Sequence, residues 1–98
     1  MKGSSLVGAD LAGQNLSGAW LRKADLSGAD LSDSRLSDSR LSGVRLVGVN
    51  LMRADLTGAD LSWANLSGAN LTGTGLTLEA LQKQGAFVDG NTVFGAAR

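Results

Sequence analysis

The sequence predicts an all-β solenoid, closed at its C-terminal end by a short helical cap. Three observations carry that expectation. Leucine stands at every fifth position from Leu6 to Leu76, a small residue lies two positions before it, and glycine recurs two positions after it.

The leucine column runs Leu6, Leu11, Leu16, Leu21, Leu26, Leu31, Leu36, Leu41, Leu46, Leu51, Leu56, Leu61, Leu66, Leu71 and Leu76, fifteen repeats in phase. Such internal repetition is the first thing to read in a chain. The small position holds Ala9, Ala19, Ala24, Ala29, Ser34, Ser39, Ala54, Ala59, Ala64 and Ala69, with the slightly larger Val44 and Val49. Asp or Asn usually precedes the leucine, and Ser or Thr usually follows it. A period of five fits neither regular element. Residues five apart on an α-helix differ by about 140°, so the leucines form no stripe. On a flat strand an odd period sends successive leucines to opposite faces. A short extended segment followed by a bend satisfies both constraints. If every bend turns the same way, all fifteen leucines share one interior and successive coils pair in parallel. Glycine suits the bend, where φ turns positive, and Asp or Asn beside it can bond nearby backbone amides.

The units Ala24-Asp25-Leu26-Ser27-Gly28, Ala54-Asp55-Leu56-Thr57-Gly58 and Ala64-Asn65-Leu66-Ser67-Gly68 carry a resemblance. They are similar to the A(D/N)LXX pattern of the pentapeptide-repeat family, over about three quarters of the chain. The resemblance implies a right-handed quadrilateral β-helix with four repeats per coil, and so about four coils. Charge pairing does not decide the coil length. Within the repeats a spacing of twenty joins Asp25/Arg45, Asp33/Arg53, Arg35/Asp55 and Arg40/Asp60, with one like pair, Asp10/Asp30. A spacing of fifteen gives six opposite pairs and one like pair. With four repeats per coil, Arg40 lies beside Trp20.

The expected domain division is a β-helix over 1–76 and a cap over 77–98. In the cap, Thr77 is placed to start one or two helical turns, Glu79 sits in the first, and Gly85 is placed to stop them. Asp89-Gly90-Asn91 reads as a turn. The tail is the right size to cover the last coil, and Phe87 and Phe94 are its candidates for an interface. Only Met1-Lys2-Gly3-Ser4-Ser5 precede Leu6, leaving the first coil's apolar cross-section open. An excised or engineered piece, frayed coils, and end-to-end pairing of two molecules remain open as explanations.

Nine basic and nine acidic residues cancel, so no global field draws the chain to nucleic acid or membrane. Cysteine and histidine are absent, which removes thiol chemistry and the usual proton shuttle. No catalytic, cofactor-binding or metal site is expected. Asp25, Asp30, Asp55 and Asp60 fill a routine repeat slot, and no calcium β-roll signature occurs. Gly73-Thr74-Gly75 lacks the lysine of a phosphate loop. The glycosylation sequons at Asn15, Asn65 and Asn70 follow from the repeat itself. With no signal peptide read at Met1, a cytoplasmic location is expected, non-classical secretion remaining open.

The departures from the repeat are the candidate interaction surface: Trp20, Arg35, Arg40, Arg45, Arg53 and Trp63, with Phe87 and Phe94 in the tail. Arg and Trp are the types enriched at binding hot spots. The leading expectation is a non-catalytic scaffold that binds protein, with a homo-oligomer through one solenoid end as a further possibility. Two alternatives stand beside it. One is a DNA mimic that binds a type II topoisomerase (gyrase), as quinolone-resistance members of the family do. The other is the repeat domain of a secreted bacterial effector or of a larger protein.

Overall fold

Every backbone bridge between two repeats joins residues twenty apart, as in Asp10 with Asp30, Trp20 with Arg40 and Asn50 with Asn70. Four five-residue repeats therefore complete one coil, which decides what the charges left open. The computed structural model describes residues 6–95, and it is a right-handed quadrilateral parallel β-helix. Met1–Ser5 lie outside the described residues.

The repeat's chemistry explains each side of the square. The leucine N–H of one coil donates to the next coil, as Leu11 does to the Asp30 carbonyl at 2.8 Å. The Asp30 N–H answers to the Ala9 carbonyl at 2.9 Å. Each side is so short that it makes one parallel bridge and no longer strand. The corner is a tight turn, in which the small residue's N–H closes on the leucine carbonyl, as Ala24 does on Leu21 at 2.9 Å. The second residue after leucine has positive φ at every corner from Gly8 to Gly73. That is the third residue of a type II turn, where glycine is the unstrained choice. Lys23, Asp33, Asp38, Arg53 and Trp63 hold the same slot with φ between 57° and 62°.

The sequence now maps onto four faces. Leu6, Leu26, Leu46 and Leu66 line the first, and Leu11, Leu31, Leu51 and Leu71 the second. Leu16, Leu36 and Leu56 line the third, and Leu21, Leu41 and Leu61 the fourth. From Leu21 to Leu71 every leucine of the column is buried, together with Val44, Val49 and the alanines between them. Full burial of one leucine contributes roughly 1.5–3 kcal/mol, so the column supplies most of the drive to fold. Leu6, Leu11 and Leu16, at the other end, are only partly buried.

Above the fourth face the repeat gives way to α1, Leu78–Lys83. Thr77 Oγ1 accepts the Ala80 N–H at 3.1 Å and caps its start. Gly85, with φ of 78°, ends it. The Gly85 N–H donates to Gln82 and the Ala86 N–H to Leu81, which is the Schellman arrangement. Leu81 is fully buried and joins the leucine core. The tail then re-enters the coil. Phe87 pairs with Asn65 on the first face and Val93 with Asn70 on the second. Phe87 and Val93 thereby take the outward slot before leucine, and Val88 and Phe94 pack against the core as leucine substitutes.

Candidate functional site

The slot before leucine shows what the ordinary repeat does and where it stops doing it. All nine Asp and Asn residues there, from Asp10 to Asn70, accept the backbone N–H two residues on, at 3.0–3.3 Å. This local bond satisfies an amide that the turn points away from the ladder. The same bonds explain the carboxylates. Ser32 donates hydroxyl and amide to Asp30, and Ser62 does so to Asp60, holding both carboxyls below their ordinary range. The sequence reading gave these aspartates a structural role, and the hydrogen bonds supply its cause.

Trp20, Arg35, Arg40 and Arg45 occupy that slot without being able to accept the amide. Each forgoes a hydrogen bond worth about 0.5–1.5 kcal/mol. The three arginines stand in consecutive repeats, so the coil turns them onto three different faces. Arg35 is on the third face, paired through the backbone with Asp55. Arg45 is on the first, where its Nε lies 3.7 Å from Asp25 Oδ2. Arg53, at the corner between the second and third faces, grips Asp33 with two bonds of 2.8 and 3.0 Å. The run of arginines in the sequence is therefore no patch in space.

The fourth face is different. Trp20 and Arg40 are neighbours in successive coils, and the guanidinium sits 5.1 Å from the indole centroid. Asp60 follows in the same column. Beside them Arg22 Nε donates to Ser42 Oγ at 3.2 Å. At the edge of this face the corner column reads Lys23, Gly43, Trp63. Trp63 is 79% exposed and Trp20 58%. Both tryptophans of the chain and three of its cations thus share one face and its edge. Arg22 and Lys23 are further departures from the repeat, and their place beside Trp63 depends on the coil length. Of the tail aromatics, Phe87 is 55% exposed on the first face, while Phe94 packs against the core.

Three residues seal the C-terminal end through contacts that the sequence does not announce. Gln84 Oε1 accepts the Leu61 N–H at 2.8 Å. Asp89 accepts from the Ser67 hydroxyl and the Gly68 N–H. Thr92 Oγ1 donates to the Leu66 carbonyl at 2.9 Å. Gln84 and Asp89 replace ladder bonds that the tail, out of register with the repeat, cannot make, and Thr92 adds a second donor to a carbonyl that already closes its turn with the Ala69 N–H. Among the described residues no group of three side chains suited to a metal ion occurs, and no helix is long and apolar enough to cross a membrane.

A leucine-filled β-helix with an irregular outer surface defines a solenoid repeat protein. The pentapeptide-repeat family model matches residues 1–33 and 34–73 in eight copies, and the chain belongs to that family. Among solved structures it resembles the pentapeptide repeat protein Rfr23 of the cyanobacterium Cyanothece 51142, with 37% identity and a TM-score of 0.87 over 97% of this chain. A pentapeptide repeat protein of the Arabidopsis thaliana thylakoid lumen follows, with 31% identity and a TM-score of 0.71 over 95% of this chain. HetL, a Nostoc protein involved in heterocyst differentiation regulation, shares 35% identity with a TM-score of 0.52 over 74% of this chain and 35% of its own. The chain spans 63% of the length of the first structure and 56% of the second. No curated protein matches it in sequence.

Proposed function

We propose that this protein is a non-catalytic scaffold whose fourth face binds another protein. The observation that carries the reading is the convergence of Trp20, Arg22, Lys23, Arg40 and Trp63 on that face and its edge. Four faces were available to them, and hot-spot residue types cluster on real interfaces in this way. Two of these residues also forgo the local hydrogen bond that Asp or Asn supplies elsewhere. Two more, Lys23 and Trp63, adopt a left-handed backbone at φ of 61° and 62°. Residues held at a local energetic loss mark places where something besides folding chose them. A rigid rod suits the role, because its outward positions can change while the core stays constant.

Capture from an extract of the source organism tests the reading. The Trp20→Asn/Arg40→Asn double variant should lose the specific partner, and Asp30→Asn, on the opposite face, should keep it. Retention by both variants would move the interface elsewhere. The topoisomerase reading asks for a continuous acidic face, and the columns at hand alternate Asp25 with Arg45, Arg35 with Asp55 and Arg40 with Asp60. No inhibition of gyrase supercoiling is the outcome that agrees with the scaffold.

The end formed by Leu6, Leu11 and Leu16 favours one further contact, between two copies of the chain. These leucines are only partly buried, and Val7 beside them is 60% exposed. A monomer at high concentration in sedimentation would remove that contact and leave the face untouched.

A further inference from the structure

Gly43 leaves a gap in the corner column between Lys23 and Trp63. A cleft of about 320 Å³ opens there, lined by Arg22, Lys23, Ser42, Gly43 and Trp63. We propose that this cleft seats an acidic peptide segment of the partner, with a carboxylate against Arg22 and Lys23 and an apolar side chain on the Trp63 ring. The proposal rests on the scaffold reading and names the chemistry its face recognises.

Lys23 and Trp63 stand two coils apart, which at roughly 4.8 Å per coil leaves a gap of about 10 Å. An extended chain fits such a gap, and the missing side chain at Gly43 forms its floor. A Cβ placed on Gly43 would meet the Lys23 Cγ at 3.4 Å, an ordinary contact, while the φ of 68° there favours glycine and keeps the opening free of a side chain. Arg22 and Arg40 both lie close enough to Asp60 to act on its carboxyl. Lys23 makes no ion pair with any described residue. The cleft therefore keeps positive charge, with the Ser42 hydroxyl beside it as a further hydrogen-bonding group. Trp63 adds a broad exposed ring, which a bare anion does not need. The combination matches a segment in which acidic and apolar side chains alternate.

A nucleic acid fits less well. Its affinity comes mainly from neutralising many phosphates, and this chain has a net charge of zero. Stacked bases also favour a series of aromatic platforms, whereas the cleft offers one.

The backbone makes a clean experiment available. Lys23→Gly and Trp63→Gly each restore the glycine that the same slot carries at Gly8, Gly28, Gly48 and Gly68, so both variants keep the fold. The probe is an acetylated, amidated octapeptide of alternating glutamate and leucine, titrated at low salt. Amide resonances of Ser42 and Gly43 and the Trp63 indole N–H report occupancy. Saturable shifts confined to these groups are expected. Each glycine variant should weaken binding by about tenfold or more. The lysine–leucine counterpart should shift nothing. Absence of shifts with the acidic peptide would overturn the proposal, as would equal shifts with the basic one. Saturation by an oligothymidylate where the acidic peptide fails would overturn it in favour of nucleic acid. The partner-capture experiment uses Trp20 and Arg40, outside the cleft lining, so failure of the cleft and failure of the face are read separately.

Discussion

Arg40 lies over the ring of Trp20 one coil below it, 5.1 Å from the centroid, while its other column neighbour is Asp60. The pair places an exposed tryptophan and a cation where the ordinary repeat has a carboxylate or carboxamide. A cation–π contact at an exposed site is worth about 0.5–1 kcal/mol, close to what the missing turn bond would supply. The Trp20→Asn/Arg40→Asn double variant gains an acceptor for the Arg22 and Ser42 amides, in the manner of Asn15 with Ser17 at 3.1 Å. It should be at least as stable as the parent in thermal melting. A large loss of stability would make the pair structural and weaken its claim to be a binding surface.

Trp63 gives a second stability test. Its left-handed backbone costs roughly 1–2 kcal/mol, part of which glycine's greater unfolded-state freedom takes back. Trp63→Gly should raise unfolding free energy by about 0.5–1 kcal/mol in urea titration. Trp63→Ala keeps the strain and should give no such gain. If alanine stabilises as much as glycine, the φ of 62° is not what matters there.

At the sealed end, Gln84→Leu removes the acceptor of the Leu61 N–H. An amide left unpaired in a partly buried site costs about 1–3 kcal/mol. Amide exchange at Leu61 should speed up more than exchange at Leu41 in the middle of the solenoid. Gln84→Glu retains an acceptor oxygen and should behave like the parent.

The aspartates set the pH dependence. Hydrogen bonds from Ser32, the Arg53 guanidinium, Ser62 and Ser67 lower the carboxyls of Asp30, Asp33, Asp60 and Asp89 in the fold. A carboxyl lowered by folding contributes stability that is present above its unfolded value and is lost as pH falls through the folded one. The chain has no histidine to titrate near neutrality. The melting temperature should be flat from about pH 5 to 8 and fall below about pH 4. A midpoint near pH 6 would contradict this.

The leucine column, the small residues facing it and the glycine corners were legible because a period of five leaves one way to bury every leucine. The preference for Asp and Asn was legible in kind, since both accept a nearby amide. Coil length was not legible from charge. Exposed ion pairs are worth little, so they do not constrain register strongly. Only Asp25/Arg45 and Asp33/Arg53, of the four pairs twenty apart, come within 4.0 Å. The placement of Trp20 and Trp63 on one face and its edge depends on four repeats per coil, because they occupy different slots of the repeat. Gln84 and Thr92 escaped notice because their partners are backbone groups of an earlier coil, which carry no side-chain signal, and Asp89, read only as part of a turn, meets Ser67 at a spacing that the repeat does not mark. The likeness of Arg35, Arg40 and Arg45 in sequence misled in the opposite direction, since neighbouring repeats face different ways.

The face exists only if residues twenty apart stand side by side, and the absence of native cysteine makes that register directly measurable. Paired positions in adjacent coils lie about 4.8 Å apart, within the 4.4–6.8 Å that a disulfide spans. With cysteine at 50 and 70, mild oxidation should consume both thiols within one molecule. With cysteine at 50 and 65, on adjoining sides of the square, the thiols should stay free. An intramolecular bridge in the second protein and none in the first would contradict the four-sided coil and dissolve the face with it.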